Sequence, residues 1–177
     1  VDFLLFSPSD IELFEEARDN KIHRSVHAGA FCPSEVVFQA IEKLGAERIV
    51  FGYSVIEDDS LYKIASTTKY IFVQHHHYFM ALKASVDDDY NSNNKLQDRE
   101  NLSPTVNFAE DNVSFSINTG YPALTGTRLD AEIDLVKFWG LSETHLTKAI
   151  FNAARNAFLE DKKKKELQKE LRKVVNQ

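Results

Sequence analysis

The chain has 177 residues, 43% of them apolar and 27% charged, a balance expected of one soluble globular domain, residues 1–177, and unlike that of a disordered chain. A formal charge of -6 and a pI near 5.5 argue against capture of nucleic acid or an anionic membrane surface, which need clustered positive charge. With one cysteine, Cys32, no apolar start and no run of about 18 apolar residues, the expected home is the cytoplasm or another reducing, soluble compartment.

Five short runs rich in β-branched and aromatic residues read as buried strands: Phe3 to Phe6, Arg24 to His27, Arg48 to Phe51, Tyr70 to Gln74 and Val113 to Ile117. Helical patterns fall between them, the mark of successive βα units on a parallel sheet. After the first run, Ser9 or Asp10 is expected to cap a helix that carries Ile11, Phe14 and Ala17 on one face. A second helix begins at Ser34, with Val36, Val37, Ala40, Ile41 and Leu44 at helical spacing and Gly45 as its stop. Asp58 to Ser66 makes a third. The polar stretch from Asp87 to Ser103 reads as a long surface loop, with a short helix from Pro104 to Glu110 after it. Beyond the last strand come helices over Arg128 to Trp139, over Ser142 to Leu159 with Ser142 as N-cap, and from about Glu160 to Val175.

Several local patterns have both a functional and a plain interpretation. His75, His76 and His77 end a strand and offer metal-ligating nitrogens together with His27, but in a strand at most two of the three share a face, and ordinary polar contacts are the plainer expectation. Asp87, Asp89, Asn91, Asn93 and Asp98 have the spacing of a calcium loop without its glycine, since Ser92 stands there. Lys162 to Lys165 lie among Glu160, Asp161, Glu166 and Glu170 and make an ion-paired helix face. Cys32 has no evident base beside it. Phe138 and Trp139 read as core residues.

Five segments together carry a family pattern. They are IHRSVHAGA (Ile22 to Ala30), GAERIVFGYSVIED (Gly45 to Asp58), FSINTGYP (Phe115 to Pro122), LTGTRLDAEIDL (Leu124 to Leu135) and FNAARNAFL (Phe151 to Leu159). In this order and spacing the chain resembles the later part of the adenosine and AMP deaminase family, metal-dependent hydrolases on an eight-stranded (β/α) barrel. The resemblance implies a partial TIM-type barrel of about five parallel strands, family strands four to eight, with flanking helices and extra C-terminal helices.

In that family a zinc-bound water attacks the purine, a histidine and an aspartate orient the attack, and a glutamate donates a proton to the ring. The resemblance places His27 on a zinc-ligand histidine. It places Ala30 on the glutamate, Phe51 on the water-activating histidine, Ser54 on a second histidine, and Gly120 and Tyr121 on an aspartate pair. None of these replacements supplies the lost function, so His27 is a vestigial ligand, with His75 and His77 as weak substitutes. Scaffold positions such as Gly29, Gly52 and Tyr53 stay family-like. His27, Gly29, Tyr53, Ser54 and Tyr121 are therefore candidates to line a ligand pocket, with Tyr121 and Phe51 as apolar walls.

The same resemblance implies that the family's first three strands, which bear a further H-x-H zinc pair, are lacking here. The expectation is a catalytically inactive structural or interaction subunit without a cofactor, completed by another polypeptide: a missing barrel half, a second copy or an assembly neighbour. The alternatives are a zinc-dependent adenosine deaminase completed by another chain, and a non-catalytic binder of a purine or other small molecule.

Overall fold

In the computed structural model, which describes residues 6–67, 70–76 and 103–175, four parallel strands lie side by side in chain order. They are β1 (Ser25–Ala28), β2 (Arg48–Phe51), β3 (Ile71–Gln74) and β4 (Phe115–Ile117). Parallel neighbours need crossover connections, and helices supply them. Helix α1 (Pro8–Asp19) precedes β1, α2 (Ser34–Glu42) joins β1 to β2, α3 (Asp59–Thr67) precedes β3, and α4 (Pro104–Glu110) precedes β4. Each strand is added on the same side of the last. That order is an arc of a (β/α) barrel, whereas a doubly wound sheet reverses at a switch point. The expected strand Phe3 to Phe6 lies outside the described residues apart from Phe6, as do the calcium-like positions Asp87 to Asp98 and all but the last residue of the long loop.

The two faces of the sheet differ. Val26, Ile49, Phe72 and Phe115 stand in register across the strands. They pack on Val37, Ala40 and Ile41 of α2, Leu61 and Ala65 of α3 and Phe108 of α4, forming the main core. The next row, His27, Val50, Val73 and Ser116, is also in register and so points to the opposite, inner face. β1 shows the contrast most clearly, with Val26 and Ala28 buried and Ser25 and His27 exposed.

Local chemistry explains the helix ends. Ser7 caps α1: its Oγ accepts the Asp10 N–H at 3.2 Å, and the Asp10 carboxyl accepts the Ser7 N–H at 3.0 Å. The expected cap at Ser9 or Asp10 is thus displaced by two to three residues, because Pro8 is pre-set for the first helical position and lacks the N–H that would go unpaired there. Gly45, at φ +59, ends α2 as expected, and the Ala46 N–H turns back to the Ala40 carbonyl at 3.0 Å.

After β4 come a short helix α5 (Pro122–Thr125), α6 (Leu129–Phe138), α7 (Glu143–Arg155) capped by Ser142, and α8 (Asp161–Val175). Two expectations are corrected here. α7 ends at Arg155 rather than Leu159, since residues 156–159 turn. Phe138 is 85% exposed: it stands two residues from the buried Val136, about 200° around the helix. Trp139 packs against the core.

α7 and the turn after it run along the N-terminal edge of the sheet. The Asn152 side chain donates to the carbonyl of Phe115 at the start of β4, at 3.4 Å, and Arg48 at the start of β2 donates to the Asn156 carbonyl at 3.1 Å. The Phe158 ring then stacks on His23, centroids 4.3 Å apart, with the Arg48 guanidinium 3.9 Å from its centroid. Among the described residues no helix is long and apolar enough to cross a membrane.

Candidate functional site

Sites on parallel (β/α) sheets form where the strands end, because the loops there are free to vary above a fixed scaffold. At this C-terminal edge the backbone makes close approaches. Gly29 has φ +76, and a Cβ on it would stand 2.9 Å from the Gly52 Cα and 2.7 Å from Val37 Cγ2. Gly52 has φ +69, and a Cβ there would enter the Phe72 ring. Only glycine satisfies both.

Phe51, just before Gly52, also has positive φ, at 75°, a costly conformation for a bulky residue. The surroundings hold it: its carbonyl accepts from the Gln74 amide at 2.8 Å, and its ring is buried in a small inner cluster with Val50, Tyr53, Ala30 and Val73. The ring meets the His27 imidazole edge-on at 5.7 Å and the His75 ring at 5.6 Å between centroids. A phenyl ring therefore separates the two histidines. Ser54 is buried beside Gly29, and its hydroxyl has no hydrogen-bond partner. Burial, and after it the Glu132 charge, push the Tyr53 phenol far above its usual range.

His75 lies over Gly120. A Cβ at Gly120, which has φ +66, would collide with the imidazole at Nδ1, so the histidine occupies the space a side chain at position 120 would take. Among the described residues neither ring nitrogen of His75 has a hydrogen-bond partner. Burial, and after it the charge of His27, lower its pKa to about 4, with Glu132 opposing. The ring is therefore neutral near pH 7.

Of the sequence candidates, His27, Gly29, Ala30, Phe51, Tyr53, Ser54, His75 and Gly120 converge on this edge. Tyr121 precedes α5 and is 55% exposed. His77 lies outside the described residues. Cys32 is half-buried, and its sulfur accepts the Gly29 N–H at 3.0 Å.

Sequence reasoning missed the role of His76. It is 1% exposed, and its backbone N–H and Nδ1 face one oxygen of Glu132, itself fully buried, at 3.1 and 3.2 Å. Its Nε2 meets the Thr105 hydroxyl at 2.8 Å, and that hydroxyl approaches the Gln74 side chain at 3.5 Å. The available signal was Glu132, which sits one turn before Val136 on the core stripe of α6.

The donor set does not fit zinc. A catalytic zinc site uses three protein ligands at about 2 Å. Among the described residues no three His, Cys, Asp or Glu side chains come together in a set able to hold a metal ion. His27 and His75 flank an apolar ring, and Gly120 has no side chain to offer.

An in-order parallel arc with its polar and strained residues gathered at the strand ends is part of a (β/α) barrel scaffold. The chain belongs to the adenosine deaminase family, whose pattern matches residues 5–174. It is 31% identical over 170 residues to adenosine deaminase of Danio rerio, covering 93% of this chain and 43% of the relative. It is 34% identical over 161 residues to that of Xenopus laevis, covering 90% and 42%. The chain thus spans under half the length of these relatives. In fold it is similar to an adenine deaminase from Arthrobacter aurescens (TM-score 0.80, 22% identity, 100% of this chain and 51% of that one). It is equally similar to an amidohydrolase from Burkholderia ambifaria with bound zinc (TM-score 0.80, 17% identity, 99% and 47%).

Proposed function

We propose that this chain is a non-catalytic, deaminase-type partial barrel that acts as a structural or interaction subunit. The observation that carries this is the placement of His75 over Gly120, with Phe51 wedged between His75 and His27. At the positions where the family resemblance sets an aspartate, a glutamate and a histidine, Gly120, Ala30 and Phe51 have no group that ligates a metal or moves a proton. His27, the retained histidine, stands alone as a vestigial ligand.

The partner we propose is a polypeptide that covers the inner face of this sheet. All-parallel sheets have both faces covered, whereas the described helices cover one face of this sheet and His27 is exposed on the other.

Metal analysis, light scattering and an adenosine-to-inosine assay on the purified protein, with whatever co-purifies, test both parts. The expected result is a hetero-complex without stoichiometric zinc and without turnover. Stoichiometric zinc with inosine formation would establish the competing function, a zinc-dependent purine deaminase completed by another chain, which the deaminase relatives favour. Nucleoside binding without turnover would instead point to a small-molecule binder, favoured by the unpartnered Ser54 hydroxyl and His75 ring. A monodisperse monomer that unfolds cooperatively would overturn the partner.

A further inference from the structure

At the opposite, N-terminal end of the sheet, a cleft of about 270 Å³ opens between α7 and the turn that leads from α4 into β4. Its floor is apolar, made by Val113 and Phe115, and its walls carry Asn112, His145, Lys148 and Arg155; Asn152 also lines it, its amide N–H given to the Phe115 carbonyl and its Oδ1 left as an acceptor. Three of those four come from α7 at positions 145, 148 and 155, spacings of three and seven that set them on one helix face. No carboxylate lines the cleft. The adjacent Asp111 carboxylate instead accepts the Tyr62 hydroxyl proton at 2.7 Å.

The hydrogen bonds already made fix what remains on offer. His145 Nδ1 accepts the Ser142 N–H at 3.4 Å, which leaves the ring proton on Nε2 and makes that atom a donor. The Lys148 ammonium gives one of its three protons to Asn112 Oδ1 at 2.7 Å. This turns the Asn112 amide so that its NH₂ is its uncommitted end. Arg155 has no ion pair or hydrogen bond among the described residues. Every uncommitted polar side-chain group of Asn112, His145, Lys148 and Arg155 is therefore a donor, and two of the four residues are fixed cations. In a chain of net charge -6, this is a local reversal of sign.

We propose that this cleft binds the phosphate group of a small phosphomonoester. The two fixed cations match the charge of a dianion, the planar guanidinium matches two phosphate oxygens, and the ammonium serves as a point charge on a third. The volume suits a phosphate with a small organic body, which lies against Val113 and Phe115. The site is separate from the strand-end histidines and stands whether or not the chain catalyses a reaction.

Amide spectra of the intact protein, titrated with inorganic phosphate and with phenyl phosphate at ionic strength held constant with chloride, test the proposal. The expected result is saturable shifts confined to the turn at residues 111–115 and to α7, with phenyl phosphate binding more tightly than phosphate. The double substitution Lys148→Met with Arg155→Gln is expected to weaken both ligands roughly tenfold or more, and thermal unfolding without ligand should stay unchanged because both side chains are exposed. Shifts that never saturate, that spread over the surface, or that persist at full affinity in the double variant would overturn the site.

Discussion

His75 and Gly120 form a pair in which one residue's lack of a side chain makes room for the other's ring. The exchange has a pH signature. The folded-state pKa of His75, about 4, lies below its ordinary 6.5. Between those values the unfolded chain takes up a proton that the folded chain refuses, so stability present above pH 6.5 is lost as the pH falls through this window. We expect the urea midpoint to drop between about pH 7 and about pH 5, and His75→Phe to flatten that part of the profile. Equal slopes in the two proteins would refute it. In the sequence, Ala30, Phe51 and Gly120 stand out only through the family resemblance, which sets a glutamate, a histidine and an aspartate at those positions. The division of labour between His75 and His76 was not legible there. Both lie past the end of β3, where the period-two rule of a strand no longer says which side chain turns inward.

At the scale of elements, a buried polar chain joins β2, β3, α4 and α6 just beneath the strand-end edge. It runs from the Phe51 carbonyl through Gln74 and Thr105 to His76 and Glu132. Such a chain holds His76 in place just beyond β3, because each buried group left unpaired is costly. Glu132→Ala removes the carboxylate that faces the His76 N–H and Nδ1, and it is expected to cost about 3 kcal/mol or more in chemical denaturation. Glu132→Gln keeps an acceptor in place and should cost less; equal losses would show that hydrogen bonding to His76 is not the reason. The elements themselves were largely legible: β2 and α4 fall on their expected ranges, and β1, β3 and α3 within about two residues, the usual fraying of such boundaries. Capping was less so. Ser7, Ser9 and Asp10 all bear suitable oxygens, and Pro8 decides among them by sterics that an apolar pattern does not record.

Over the whole molecule, the sheet has one face covered by helices and an inner face on which His27 is exposed while Val50 and Ser116 are buried, and its N-terminal edge is closed by the last third of the chain. Phe158, between His23 and Arg48, is the far end of that seam. Phe158→Ala removes a ring stack and a cation–π contact, and we expect a loss of about 1–2 kcal/mol in a urea titration; an unchanged midpoint would show the seam to be incidental. The parallel arc was readable from the alternation of strands and helices. The seam was not, since nothing in local spacing announces that residue 158 returns to residue 23.

That return has a temporal consequence. A strand pair and its crossover helix form from neighbouring stretches of chain, but the Phe158 stack joins segments far apart in sequence, and such contacts form late. On the ribosome, these βα units emerge and dock while their N-terminal edge still lacks its cover. Closure waits until the turn after α7 leaves the exit tunnel, and during that interval the nascent sheet is open to its own neighbours and to chaperones.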